Sequence, residues 1–510
     1  MGQIISKLIN RFDGGMSNDK RVDAGNKFSV TKHFDTFTFP HKLVPYTKSS
    51  LIDAVESAGA SKPYTITEFL YAPTTNGGST YKIWGRGVTV GGGGGKVQIM
   101  SMSVGASEWD SPDGDLASSY VPVPGCFFYY EGKIYVWANG NLLMSADMGA
   151  TPFATVATLG ANYTKVTQPL RSKNDNKAYF FTDNNVHSLT SAGVFDDNVL
   201  VLSTNYNIVS ACEYGNYIAL GCVTKDSLKS IVVLWDRQAT INEITENIDF
   251  GNGEIVVLST IDNVLTAVIS DSLNSTLSLD TPKVIIKQYI GGIAKTVEEI
   301  IADTQGYIPG ITDSLAKVYH LTDNKIYFVA RIPDKANTRF GIWCVSSGGK
   351  VALDYIEDGA STYEGILQVG NVWFVAHSND GSTNRSDISP AIPSTTQYSE
   401  YETLLLEKTY QNKKLVRVGV MTEPLQNYGA GDSSYKISYR TSEGTPSSAT
   451  SYTEIFDCSE SGSTFHSSIN IESTGETLPE FREIQFKVSS LKGTVITGIY
   501  YEYEILPTDL

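Results

Sequence analysis

Cysteine, charge and long apolar runs are all scarce in this chain of 510 residues, and each scarcity closes a class of function. The five cysteines, Cys126, Cys212, Cys222, Cys344 and Cys458, are odd in number and form no C-x-x-C pair. Neither a zinc knuckle nor a disulfide framework is indicated, and buried thiols are the expectation. No stretch approaches the roughly 20 apolar residues of a membrane helix, and the first residues lack a signal-peptide core with a small-residue cleavage site. A soluble chain without a membrane span, not exported by the general secretory route, is therefore expected. Charged residues make up only 18%, below the roughly 25% usual for soluble domains. Among them 39 basic side chains stand against 55 acidic ones, a net charge of −16. Such a surface repels a phosphate backbone instead of releasing its counterions, which excludes general nucleic-acid binding.

Catalytic signatures are scarce too. The histidines His33, His41, His187, His320, His377 and His466 show no H-x-x-x-H spacing, and no G-x-S-x-G elbow occurs. Asp113 and Asp115 in Ser111-Pro-Asp-Gly-Asp read as a turn, because a glycosidase pair normally draws its carboxylates from distant segments. The same segment lacks the ligand spacing of a calcium loop. Gly91 to Gly95 are followed by Lys96 and then Val97, where a phosphate-binding loop needs Ser or Thr. A hairpin tip is expected there. No enzyme activity, cofactor or metal site is expected of the chain.

Glycine (45) and tyrosine (29) are plentiful, and they recur in a period. Six segments share one grammar: Gly132-Lys-Ile-Tyr-Val-Trp, Asp175-Asn-Lys-Ala-Tyr-Phe-Phe, Gly215-Asn-Tyr-Ile-Ala-Leu, Asp262-Asn-Val-Leu-Thr-Ala-Val, Asp323-Asn-Lys-Ile-Tyr-Phe-Val and Gly370-Asn-Val-Trp-Phe-Val. A Gly or Asp opens a tight turn, Asn or Lys follows, and a β-branched or aromatic run begins, which is a turn delivering a buried strand. The intervals are 43, 40, 47, 61 and 47 residues, close to the roughly 40–50 residues of a four-stranded propeller blade. A candidate first unit lies upstream at Gly78-Ser-Thr-Tyr-Lys-Ile-Trp. Ser145-Ala-Asp-Met-Gly-Ala-Thr-Pro-Phe153 resembles the Asp-box of sialidase-type propellers, with Pro152 inserted; that box stabilises turns and argues for blades, not hydrolysis.

The long interval contains Ile293, Val297, Ile300 and Ile301 at i, i+4, i+7 and i+8, with Gly306 placed to end a helix. A helical insertion near 290–306 is the expectation. The expected fold is all-β: an extended N-terminal arm over 1–59, a six- or seven-bladed β-propeller over 60–396 and a C-terminal β-sandwich of roughly seven or eight strands over 397–510. In the arm, Ile4, Ile5, Leu8 and Phe12 form an apolar stripe of helical spacing that breaks at Asp13-Gly14-Gly15. With too few apolar groups for a core of its own, the arm is expected to pack on its own propeller or on a neighbour. Ile4, Ile5, Leu8, Phe12, Gly14 and Gly15 are accordingly the candidate assembly residues.

The opening Phe12-Asp-Gly-Gly-Met-Ser-Asn-Asp19, the stretch His33-Phe-Asp-Thr-Phe-Thr-Phe-Pro-His-Lys-Leu-Val-Pro-Tyr46 and the ending Leu478-Pro-Glu-Phe-Arg-Glu-Ile-Gln-Phe-Lys-Val488 resemble virion structural proteins of tailed bacteriophages. The layout of arm, propeller and closing sandwich is similar to theirs as well. The resemblance implies a tail component, a nozzle or tail-tip ring protein, made in the host cytoplasm and resident in the virion. The partners it implies are further copies in a ring, a hexamer, together with neighbouring tail or adaptor proteins. If the ring lined a DNA channel, surplus acid would let the duplex slide during passage without specific binding. The rival expectation is a receptor- or carbohydrate-binding tail module, since exposed tyrosines and tryptophans stack on sugars. Against it, Tyr135, Trp137, Tyr179, Tyr327 and Trp373 fall inside the repeat strands, where core packing is their default use.

Overall fold

The computed structural model describes residues 3–17, 26–46, 50–51, 64–74, 78–89, 97–106, 109, 114–115, 122–138, 141–145, 154–158, 166–226, 229–238, 246–271, 283–301, 318–322, 324–331, 340–356, 360–370, 372–379, 383–388, 398–407, 410–423, 434–441, 452–458, 466–470, 479–491 and 493–507. Gly91 to Gly95, Asp113, residues 146–153 of the Asp-box-like run and residues 302–306 lie outside the described residues. Among the described residues the architecture is all-β, with no α-helix.

Seven four-stranded antiparallel sheets follow one another along the chain. Six are continuous, over 64–115, 122–158, 166–201, 206–252, 254–301 and 319–355. The seventh takes three strands from Ala360–Val369, Val372–Asn379 and Thr383–Ile388, and its fourth, Ser50–Leu51, from near the other end of the chain. First strands of successive sheets pack on one another except between the fifth and sixth, where Glu254–Ile261 packs on Ile326–Arg331, and Ala360–Val369 packs on Tyr64–Pro73, so the series closes on itself. Each turn-and-run segment read from the sequence leads into the second strand of one of these sheets. That strand has a neighbour on both sides and faces adjoining sheets, which is why its side chains are apolar without alternation. Phe180, Phe181, Ile218, Ala219, Phe328 and Trp373 are buried there, each large one contributing about 1.5–3 kcal/mol relative to exposure.

One regularity has no counterpart in the sequence grammar. In six of the seven sheets a bulge interrupts the pairing of first and second strands, for example between Ile208 and Ser210 and between Ile255 and Val257. A bulge steepens the twist and leaves backbone groups unpaired. Near these bulges, hydroxyls from neighbouring sheets bond outward-facing backbone groups of the first strands: Thr167 Oγ1 donates to the Ile208 carbonyl (3.0 Å), and Ser210 Oγ accepts from the Leu258 N–H (2.9 Å).

The expected helix near 290–306 is not formed at its described end. Ile293–Ile301 is a strand, paired with Lys283–Ile290 through the turn Gly291-Gly292, both at positive φ (64° and 85°). Lys287 lies opposite Thr296 but Ile286 opposite Glu298, so Val297 is an extra residue in the ladder. That bulge changes the alternation midway and mimics a helical period. Ile293 ends up exposed, while Val297 and Ile300 face inward.

Two further sheets, each of five strands, close the molecule. Their eight C-terminal strands lie between Tyr398 and Ile505. Each sheet also takes one N-terminal strand: Ile4–Ile9 pairs with Ile496–Ile505, and Phe28–Lys32 with Tyr398–Thr403. Both sheets contribute to one core that holds Leu415, Val418, Ile437, Phe486, Val488, Ile499 and Tyr501.

Candidate assembly surface

The candidate residues of the N-terminal segment occupy one continuous stretch of structure, and the expected helical stripe is a strand. Ile4–Ile9 forms the edge of a sheet ordered Ile4–Ile9, Ile496–Ile505, Lys413–Thr422 and His466–Asn470. Its alternation sends Ile5 and Ile9 toward the shared core and leaves Ile4 and Leu8 outside, 59% and 49% exposed. Leu8 Cδ1 and Met421 Sδ lie over Gly498, where an added Cβ would stand 3.2 Å from each. Glu502 accepts from Ser6 Oγ at 3.0 Å and from the hydroxyl of Tyr500, over whose ring Arg417 sits at 5.6 Å. The outer face thus combines apolar groups with a local charge cluster.

Phe12 leaves the surface altogether. It is fully buried in the core shared by the two C-terminal sheets. Gly14 and Gly15 carry the chain from there to the sixth sheet, where Met16 N–H donates to the Val351 carbonyl (2.7 Å). Gly14 has no room for a side chain: an added Cβ would lie 2.2 Å from the carbonyl carbon and oxygen of Asn26. Of the six candidates, then, two are exposed, two build the core and two are backbone devices.

Sequence reasoning missed the residues that fasten the N-terminal segment. Thr31 Oγ1 donates to the Leu353 carbonyl (2.8 Å), and the Tyr46 hydroxyl donates to Asp354 Oδ2 (3.0 Å). Lys325 Nζ reaches Asp35 Oδ1 at 3.3 Å and Thr38 Oγ1 at 2.7 Å. Asp35 Oδ1 also accepts the N–H groups of Phe37 and Thr38, folding its own loop around the charge. Burial, then the neighbouring Asp35 charge, pushes the Asp354 carboxyl up to about 8, against the opposing pull of Lys325 and Tyr46. Burial alone would lower the Lys325 ammonium, but Cys344, Asp354 and Asp35 outweigh it and raise it. Asp354 Oδ1 has no hydrogen-bond partner among the described residues. A charged residue inside Val351-Ala-Leu-Asp-Tyr355, an otherwise apolar strand, was the available signal.

One arrangement has the outline of a nucleophile, base and carboxylate. Thr182 Oγ1 lies 2.7 Å from His187 Nε2, and His187 Nδ1 lies 2.7 Å from Asp197 Oδ1. A carboxylate only accepts, so the 2.7 Å contact places the Nδ1 proton toward Asp197 in preference to the Asn198 N–H that approaches the same nitrogen at 3.2 Å, and Nε2 then accepts the Thr182 hydroxyl. Thr182 and His187 are both 0% exposed, and burial lowers the imidazole pKa despite Asp197. A hydroxyl without access to substrate ties the third sheet together rather than attacking a bond. No group of three or more metal-ligating side chains occurs among the described residues.

No family model and no curated protein matches the chain. Solved structures similar in fold include a catalytically inactive virginiamycin B lyase from Staphylococcus aureus with quinupristin, at 11% identity and TM-score 0.44, covering 67% of this chain and 99% of the lyase. The WD40 beta propeller domain of Doa1 is similar at 12% identity and TM-score 0.41, covering 68% of this chain and 97% of that domain. An exo-beta-1,3-galactanase from Phanerochaete chrysosporium is similar at 10% identity and TM-score 0.33, with 89% and 100% covered. At these values the likenesses assign no activity. The chain is all-β, built largely of four-stranded antiparallel sheets, and its structural neighbours include propellers.

Proposed function

We propose that this chain is a structural component of a bacteriophage tail, a nozzle or tail-tip ring protein that serves assembly and DNA passage. In this reading the seven sheets are the blades of a propeller, Ser50–Leu51 closes its last blade, and the two five-stranded sheets are a β-sandwich. The observation that carries the proposal is the convergence of the phage-like segments. Phe12 from the first, Phe34 and Leu43 from the second, and Phe481, Ile484, Phe486 and Val488 from the third share one core. Segments far apart in sequence that resemble one protein class and meet in space form a single physical unit, which a chance likeness would not favour.

The role is mechanical, not enzymatic. A propeller leaves only short, protected sheet edges, and the N-terminal segment staples propeller to sandwich. The expected partners are further copies in a hexameric ring and adjoining tail or adaptor proteins. The site of synthesis is the host cytoplasm, and the site of function is the virion.

Light scattering and negative-stain microscopy of the full chain test the proposal: a closed ring, alone or on addition of purified tail adaptor, is expected. A particle that never forms rings but binds host-surface polysaccharide would favour the second reading, a receptor- or carbohydrate-binding module. The feature favouring that reading is the exposed pair Tyr71 and Tyr81, 40% and 44% accessible, with ring centroids 5.0 Å apart.

A further inference from the structure

The edge strand Ile4–Ile9 has apolar residues on both faces and, among the described residues, ends its sheet without a covering strand. Long apolar edges are templates for another strand, and proteins that do not use them shield them with charge, proline or bulges. Here Lys7 is the one charge, and its ammonium lies 3.7 Å from Glu407. The apolar side chains on the strand's outer face are the exposed Ile4 and Leu8.

The backbone phase of the strand is known. Ile505 N–H donates to the Gln3 carbonyl, and in the register Ile4 opposite Glu504 through Ile9 opposite Ile499 antiparallel alternation turns the polar groups of Gln3, Ile5, Lys7 and Ile9 toward that neighbour. Those of Ile4, Ser6 and Leu8 therefore point away, toward the open edge.

We propose that this edge pairs with the same edge of a second copy across a two-fold axis, Ser6 opposite Ser6. Only this register uses all three outward residues. Ser6 exchanges both hydrogen bonds with its counterpart, and Ile4 and Leu8 exchange them with Leu8 and Ile4 of the other copy. The outer face then continues unbroken, with Ile–Leu, Ser–Ser and Leu–Ile cross-strand pairs of the kind that stabilise antiparallel sheets. Sliding by one residue along each strand sets Lys7 against Lys7, like charges face to face. Registers of the opposite parity join the outer face of one copy to the core face of the other. The segment is thus self-complementary in one arrangement. An isologous contact of this type makes a dimer, and ring closure needs a separate head-to-tail contact, so the inference stands apart from the tail reading.

Ser6→Pro tests it on the full chain. The Ser6 N–H faces away from its own sheet, so proline at an outward edge position leaves the intramolecular ladder intact while removing the central donor. Analytical ultracentrifugation is expected to show a concentration-dependent dimer for the native chain, weakened at least tenfold in Ser6→Pro with an unchanged near-ultraviolet spectrum and Tm. Ser6→Cys is expected to form a covalent dimer on mild oxidation, absent from the native chain treated alike, because directly opposed Cα atoms fall within disulfide reach of about 4.4–6.8 Å. A native chain that stays monomeric, or a Ser6→Pro dimer of native affinity, overturns the proposal. A ring that persists in Ser6→Pro while the two-fold dimer is lost supports it, because ring closure uses the separate head-to-tail contact.

Discussion

Phe12 meets Tyr401 edge to face, with ring centroids 5.2 Å apart and planes at 87°. A ring from the start of the chain is thereby a wall of the C-terminal core. Phe12→Ala is expected to destabilise that core by about 3–5 kcal/mol, read as a lowered denaturation midpoint with tyrosine fluorescence as the probe. Deleting residues 1–20 removes Phe12 together with the strand that flanks Ile496–Ile505, and is expected to lower the Tm further. A deletion variant that melts like the native chain would show that the segment is an accessory arm and not a structural staple.

The turn after Phe12 separates two kinds of glycine. An alanine Cβ at Gly14 would collide with the Asn26 carbonyl, at 2.2 Å from both carbon and oxygen, and with Lys27 N at 2.4 Å. These are backbone atoms and cannot swing aside. Gly15 has φ +83° and more room, its nearest neighbour Val351 N at 3.2 Å, so alanine there costs about 1–2 kcal/mol of left-handed strain. Gly14→Ala is expected to be the more damaging of the two by thermal melt. Equal losses would mean that the close approach to Asn26 is relieved by movement of the chain.

What could be read from the sequence is what local chemistry dictates. Gly132, Gly215 and Gly370 take φ of 79°, 58° and 60°, and Asp262 and Asn263 take 48° and 63°. Tight turns of that hand draw on few residue types, so they punctuate the sequence at these four sheets. The pairing of Ile4–Ile9 with Ile496–Ile505 has no such signature, since any apolar strand offers the same backbone groups. Its alternation is further disguised because one strand face lies in the open, which made Ile4, Ile5 and Leu8 look helical. Val297 hid a bulge in the same way. The fastening cluster was least legible: Asp35, Tyr46, Lys325 and Asp354 come from three segments and acquire their chemistry only when burial brings them together.

Asp354 makes a pH prediction of definite sign. Its carboxyl lies at about 8 when folded and near 3.9 in an unfolded chain, so between those values the folded state binds more protons. Stability contributed by this group is full below about 4, declines as pH rises toward 8 and levels off above it. Asp354→Asn keeps the acceptor for Tyr46 but does not titrate. The Tm difference between native chain and Asp354→Asn is expected to shift by several degrees against the native chain from pH 5 to pH 8.5, at about 2–4 °C per kcal/mol. A difference constant over that range would place the carboxyl in water.

His187 has the opposite sign, and the two together shape the pH profile. Burial lowers its imidazole below the usual value of about 6.5, so in acid the unfolded chain binds a proton that the folded chain resists. Stability from this group is full above about 6.5 and is lost as pH falls toward the folded value. Asp197, half exposed at 2.7 Å from Nδ1, opposes that loss by favouring the imidazolium. Asp197→Asn removes the opposition while sparing the Thr182 contact, and is expected to steepen the acid loss between pH 6.5 and pH 5 relative to the native chain, with little change at pH 7.5. A variant whose Tm runs parallel to the native curve would mean that the Asp197 charge is screened by solvent. In that event the Thr182, His187 and Asp197 chain acts through hydrogen-bond geometry alone, which His187→Gln, retaining a donor and an acceptor, would then largely preserve.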